Sequence, residues 1–190
     1  VSVLDIHVLG SPILRQETTP VAEVTDDIRR LIDDMFETMY AAHGIGLAAP
    51  QVGRRERLTV IDVERDHAHP QPLVLINPEI LAREGTVRGE EGCLSIPEIY
   101  GDVGRAATVV VRALDRDGHS FEMEGAEMLS RCLQHEIDHL HGRLFIDYLS
   151  LLKRRAALAK WDEEKIKYPT FVRTLSPAGS VADSHHDEEL

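Results

Sequence analysis

Two cysteines, Cys93 and Cys132, are all that the 190 residues contain, which excludes a disulfide framework. Positive charge is also scarce: 21 Lys and Arg stand against 33 Asp and Glu, for a net charge of −12. On average such a chain repels phosphates, so it is no obvious binder of nucleic acid or membrane surfaces, local basic patches aside. No apolar run approaches the roughly 20 residues that span a bilayer. The opening VSVLDIHVLGSPILR has no basic stretch leading into a long apolar one, so no signal peptide is expected there. Nor is there a repeat with a period of about 20–50 residues. These absences leave a cytoplasmic protein with reduced thiols, long enough for one domain with a real core.

What is present begins with TDDIRRLIDDMFETMYAAHG. Ile28, Leu31, Ile32, Met35 and Met39 recur at helical spacing and mark one buried stripe. Thr25 suits the N-cap, Asp26 and Asp27 suit the positive end of the dipole, and Gly44 is expected to end the helix. Then the texture changes. Residues 57–63, 72–77 and 107–114 are short, rich in Val and Ile, and bounded by Gly, Pro and Asp, as strands are. Asp117-Gly118 predicts a hairpin turn between 107–114 and 119–124. A second helix is predicted over 125–142 and a third over 149–167. Strands that run together between helices favour an α+β fold, with antiparallel strands packed around the second helix and helices near either end. Residues 1–173 are expected to form one catalytic domain, and the acidic stretch 174–190, poor in large apolar groups, to be disordered.

The segment CLQHEIDHLHG carries the chemistry. On a helical wheel of about 100° per residue, Leu129, Leu133, Ile137 and Leu140 fall within roughly 80° of arc. His135 and His139 lie on the other side, about 40° apart, with Glu136 between them and the apolar stripe. Two imidazoles one turn apart converge on a point, and the intervening carboxylate is free to move protons. An ordinary solvated face with two histidines is the plainer alternative, but the full H-E-x-x-H on an amphipathic helix favours a metal. A catalytic ion of the zinc type needs a third protein ligand and one open position. The longer pattern H-E-x-x-H-x-x-G-x-x-H continues to Gly142 and then fails, with Phe145 where the third histidine would stand. Glu163 and Glu164 sit in a charged, exposed run. Cys132 shares the histidines' face, but three ligands from one straight helix surround an ion poorly, so it more readily lines a cleft. Cys93, in GEEGCLSIP where Gly89, Gly92 and Pro97 break regular structure, is better placed to approach from the opposite side. Thiolate ligation argues for a late transition metal rather than magnesium or calcium.

Together GIGLAAPQ (44–51), EGCLS (91–95) and QHEIDHL (134–140) resemble, in order and spacing, the three signature segments of the bacterial peptide deformylases. The resemblance extends from about residue 4 to 150, and the long acidic C-terminal stretch departs from it. It implies that Cys93, His135 and His139 bind one divalent metal, iron(II) by preference, with zinc, nickel or cobalt as substitutes. Glu136 would be general base and then acid, and the Gln51 amide and Leu94 N–H would hold the reacting carbonyl oxygen. The reaction would remove the formyl group from nascent polypeptides that begin with formyl-methionine, releasing formate. Gly44 and Gly46 leave room for a second backbone, so Gly44, Ile45 and Gly46 would pair with the peptide as an added strand. Gly92 is a further expected contact. Met128, Cys132, Ile45 and Tyr100 would line the methionine pocket, where sulfur and unbranched side chains adapt well.

Asp138 is expected to pair with Arg105 and orient the ligand helix, and Glu91 to anchor the cysteine loop. The basic residues Lys153, Arg154, Arg155 and Lys160 read first as a solvated face, with transient docking on ribosomal RNA as the alternative. A monomer is the default. Two rival readings are a protease cutting internal bonds and a metal-stabilised module without catalysis. The cysteine loop argues against the first, and Glu136 and Gln51 against the second.

Overall fold

The computed structural model describes residues 1–64 and 70–175. The chain order is β1 (Ile6–His7), α1 (Asp26–Ala41), β2 (Gly46–Ala48), β3 (Leu58–Ile61), β4 (Leu73–Glu84) and β5 (Val87–Glu91). It continues through β6 (Gly101–Arg105), β7 (Thr108–Leu114), β8 (Ser120–Ala126), α2 (Glu127–Leu140), α3 (Leu151–Glu164) and β9 (Val172–Arg173). Five strands form one antiparallel sheet in the order β2-β3-β4-β7-β8, with β2 on an edge. Separate antiparallel pairs are β5-β6 and β1-β9. The fold is α+β, as the sequence predicts.

Helix α1 buries the anticipated stripe, Ile28 through Met39, and the Thr25 side chain accepts from the Ile28 N–H. Its end differs from expectation. The last helical residue is Ala41, and the left-handed position falls on His43, with φ 59°. Gly44 follows it, and its N–H donates to the Met39 carbonyl at 2.9 Å. Glycine is needed at 44 for another reason: a Cβ there would lie 2.6 Å from Leu94 Cδ1.

The strand expected over 72–77 instead runs to Glu84. Pro78 interrupts the pattern because it has no N–H to donate, and the strand absorbs it with register shifts between Ile76 and Glu79 and between Ile80 and Ala82. At the irregularity Asn77 adopts φ 51°, and its side-chain amide pairs with both backbone groups of Val21. The β5-β6 pair was not foreseen. Gly89, expected to break regular structure, lies within β5 opposite Val103.

Helix α2 lies between two cores. Leu133 and Ile137 pack with Ile45, Ile61, Val109 and Val111 toward the large sheet. On the other side Cys93, Ile96, Ile99, Val103, Phe145 and Trp161 form a second cluster that seats the loop after β5. The helix is therefore buried nearly all round, its polar face included: Arg131, Gln134, His135, Glu136 and His139 are all buried. The Gln134 amide imitates a strand, accepting from the Ala106 N–H at 3.0 Å and donating to the Ala106 carbonyl at 3.1 Å. This fixes α2 against the β6-β7 connection. Helix α3 buries only Trp161 and begins at a Ser150 cap. Of the expected acidic C-terminal stretch, residues 176–190 lie outside the described residues.

Candidate metal centre

Three donor atoms from two distant parts of the sequence meet at the polar face of α2. Nε2 of His139 lies 3.2 Å from Nε2 of His135 and 3.3 Å from Sγ of Cys93. All three side chains are at most 2% exposed, and their ligand atoms lie within 4.8 Å of one another. With metal–nitrogen bonds of 2.0–2.1 Å and a metal–sulfur bond of about 2.3 Å, the edges of a tetrahedron measure about 3.3–3.6 Å. Both separations from His139 are close to those edges and the third, between Cys93 and His135, is within 4.8 Å, so the three donors can share one ion. Two imidazoles and a thiolate select a late transition metal but do not name it.

The electrostatics of the protein alone are strained. Burial pushes the Cys93 thiol up, with partial relief from His135. Burial drives the His139 imidazole well down, and His135 adds to the effect. For His135 burial acts downward too, but Cys93 and Glu91 overcome it and raise the group to about 10. A proton shared among closely packed donors is what a cation replaces, and ligation releases it.

His135 is held from behind, whereas Nδ1 of His139, also buried, has no hydrogen-bond partner among the described residues. His135 Nδ1 lies 3.0 Å from Glu91 Oε2, which directs the N–H toward the carboxylate and the Nε2 lone pair toward the cluster. Arg105 grips Glu91 with Nε at 2.7 Å and Nη2 at 3.0 Å, and reaches Asp138 with Nη1 at 2.6 Å. The Arg105–Asp138 pair read from sequence is thus present, and Glu91 joins it. Cys93 follows β5 after one residue, Gly92, and its carbonyl accepts from the Ile96 N–H at 2.8 Å.

Glu136 is fully buried beside this cluster. Oε1 has no hydrogen-bond partner among the described residues, and Oε2 lies 3.5 Å from Thr59 Oγ1. Burial raises its carboxyl to about 7, against the pull of His135. A Cβ on Gly46 would come within 2.5 Å of Oε1 and 2.9 Å of Cys132 Sγ, so β2 approaches α2 only because residue 46 is glycine. Gln51 is fully buried. Its Oε1 accepts from the Ala48 N–H at 2.9 Å, which turns Nε2 toward Ser95 Oγ at 3.1 Å and Cys93 Sγ at 3.7 Å.

The other residues singled out from sequence are spread around the cluster. Leu94 and Gly92 flank Cys93 in the buried loop, and the Leu94 side chain packs against Gly44. The Ile45 carbonyl accepts from the Asp62 N–H and, at 3.7 Å, from Cys132 Sγ. Cys132 is buried outside the three-donor cluster. Tyr100 is half-buried just before β6. Met128 is 44% exposed in the first turn of α2. A second group, Asp115, Asp117 and His119, is exposed in the β7-β8 turn, where Asp115 Oδ1 accepts from the N–H groups of Asp117 and His119.

The sequence profile described as Polypeptide deformylase matches residues 3–155, most of the chain. The chain belongs to this family. It is 57% identical over 162 residues to a peptide deformylase of Alkalilimnicola ehrlichii, an alignment covering 85% of this chain and 90% of that protein. A peptide deformylase of Nitrosococcus oceani is 50% identical over 164 residues, covering 86% and 97%. Among solved structures, the peptide deformylase of Legionella pneumophila superposes with a TM-score of 0.83 at 46% identity, covering 89% of this chain and 99% of that one. That of Synechococcus elongatus, solved with actinonin, gives 0.80 at 46% identity, covering 83% and 86%. Peptide deformylases are hydrolytic enzymes, and membership supports action on the N-formyl group of nascent polypeptides. No helix among the described residues is long and apolar enough to cross a membrane.

Proposed function

We propose that this deformylase is a metal-dependent hydrolase that removes the formyl group from the N-terminal formyl-methionine of newly made chains and releases formate. The observation that carries the reading is the meeting of Cys93, His135 and His139 beside a Glu136 carboxylate oxygen that has no hydrogen-bond partner among the described residues. The three donors would hold one divalent ion, iron(II) in preference to zinc, nickel or cobalt. When bound, such an ion supplies Lewis acidity, polarising the formyl carbonyl and bringing the acidity of water toward neutrality.

The chain's own groups do the rest. Glu136 accepts a proton from the attacking water as a C–O bond forms at the formyl carbon. It then delivers that proton to the amine nitrogen as the C–N bond breaks, leaving formate and a free N-terminus. A carboxyl brought to about 7 by burial suits both roles near neutral pH. Gln51 Nε2 and the Leu94 N–H are the donors assigned to the carbonyl oxygen as it gains charge. Ala48 holds the Gln51 amide by its oxygen, which supports that orientation.

The substrate chain would pair along the outer edge of β2, using Gly44, Ile45 and Gly46, and pass Gly92. Cys132, Ile45, Tyr100 and Met128 are assigned to the methionine side chain. Residues 1–173 act as one catalytic domain, working as a monomer in the cytoplasm. Transient contact with the ribosome is assigned to α3, where Lys153 and Arg155 are exposed. Cleavage of internal peptide bonds is disfavoured by Phe145, which is buried and stacks with its ring centroid 6.4 Å from that of His135.

Anaerobically prepared protein, loaded with metal and incubated with formyl-Met-Ala-Ser, is expected to yield formate and free amine in equal amounts. Full metal content without formate would defeat the assignment. Cleavage between Met and Ala would point to the protease instead.

A further inference from the structure

Arg131 lies on the face of α2 opposite the apolar stripe, where a helix wheel places solvent, yet it is 8% exposed. Its guanidinium spans the β5-β6 pair. Nη1 donates to Glu91 Oε1 at 2.9 Å and to the Val103 carbonyl of β6 at 2.9 Å, and Nη2 donates to the Val87 carbonyl of β5 at 2.9 Å. Gly89, midway along β5, exposes its backbone to this group. A Cβ there would lie 3.1 Å from Nη2, 3.2 Å from Cζ and 3.4 Å from Nε. The fit of a bare backbone to a planar fork leaves little freedom on either side.

The geometry places Arg131 between the β5-β6 pair and α2, the two structures that bring the donors together. It sits one helical turn before His135 on α2. It binds both strands of the hairpin that delivers Cys93, and the same carboxylate that orients the His135 ring. Arg105 holds that carboxylate as well, from β6, and ties β6 to α2 by one bond, to Asp138. Arg131 ties α2 to both strands, through Glu91, Val87 and Val103.

We infer that Arg131 is a positioning residue that sets the separation between the cysteine loop and the imidazole helix. Through that separation it controls how firmly the three donors retain a metal ion. The inference rests on the metal-centre reading but not on the identity of the substrate.

The planar, forked donor set matters more than the charge. Lysine would supply one compact cation in place of a fork that contacts three acceptors at once. Methionine keeps an unbranched apolar stem and removes every donor.

The test uses full-length protein loaded with cobalt(II), with a competing chelator to read the release rate and optical absorption to report thiolate and imidazole ligation. Wild-type uptake with a thiolate band establishes the metal reading independently of any formate assay. Arg131→Met is then expected to speed cobalt release about 10- to 100-fold, the range for loss of a partner that orients a ligand. Arg131→Lys should fall between. Gly89→Ala, which crowds the guanidinium, should speed release in the wild type but change it little in an Arg131→Met background. Such non-additivity identifies direct coupling rather than general loosening. If Arg131→Met does not fold, the Arg131→Lys and Gly89→Ala release rates decide the matter. Folded variants that melt earlier yet keep the wild-type spectrum and release rate within twofold would reduce Arg131 to ordinary packing and overturn the inference.

Discussion

Glu136→Gln is expected to lower kcat for formate release by about 10²- to 10⁴-fold, the usual contribution of a positioned general acid–base group, with metal content unchanged. The substitution keeps the shape of a side chain that is fully buried against Gly46 and Thr59. It replaces one carboxylate oxygen by an NH2 and so removes the charge and the capacity to accept and return a proton. Oε1 has no partner among the described residues, so it holds no visible structural contact whose loss would confuse the result. A buried carboxylate oxygen without a donor carries a desolvation cost, which a structural role would not require. Steady-state kinetics beside elemental analysis of the same preparation make the check. A fully loaded variant retaining more than a third of wild-type kcat would remove Glu136 from the chemistry.

Cys93→Ala is expected to have the largest effect on the metal itself. Of the three clustered donors, it alone comes from outside α2. Without it, two imidazoles one turn apart remain on a single rigid element, and they cannot surround an ion. Loss of an outer partner that orients a ligand costs about 10–100-fold in affinity, and loss of a ligand should exceed this. Activity should fall with occupancy. The effect separates from folding in a thermal melt. At metal 100-fold above Kd, a loaded protein gains about 2.7 kcal/mol of stability. Wild type should show that rise and Cys93→Ala should not, while the metal-free forms melt closer together. Equal metal-induced shifts in both proteins would mean that the thiolate is not a ligand.

Much of this arrangement is legible in the sequence because it is local. The α1 stripe and its Thr25 cap, the phase of His135 and His139 on their helix, and the sheet strands rich in Val and Ile each follow from a short periodic pattern. The meeting of Cys93 with the histidines is not local. No spacing rule joins residues more than 40 positions apart, and the expectation rested on the glycine- and proline-broken loop around Cys93 together with the family resemblance.

Other features were hidden by chemistry that only tertiary structure supplies. VRGEE and GDVGR lack the alternation of a half-buried strand because one face of β5 receives the Arg131 side chain through Gly89. β4 runs on past Pro78 because bulges absorb the missing N–H. Arg131 reads as a solvated residue because its partner, Glu91, lies on a different element. The one signal in the sequence was the run of charged and glycine residues before Cys93, which suits a buried ion-pair network as well as an exposed turn.

The central claim is that one sulfur and two ring nitrogens share a single cation. X-ray absorption at the metal edge of the loaded wild-type protein tests it most directly. One sulfur scatterer near 2.3 Å together with two imidazole nitrogens at about 2.0–2.1 Å is the expected shell. A loaded, active protein whose metal shows only nitrogen and oxygen neighbours would contradict the account.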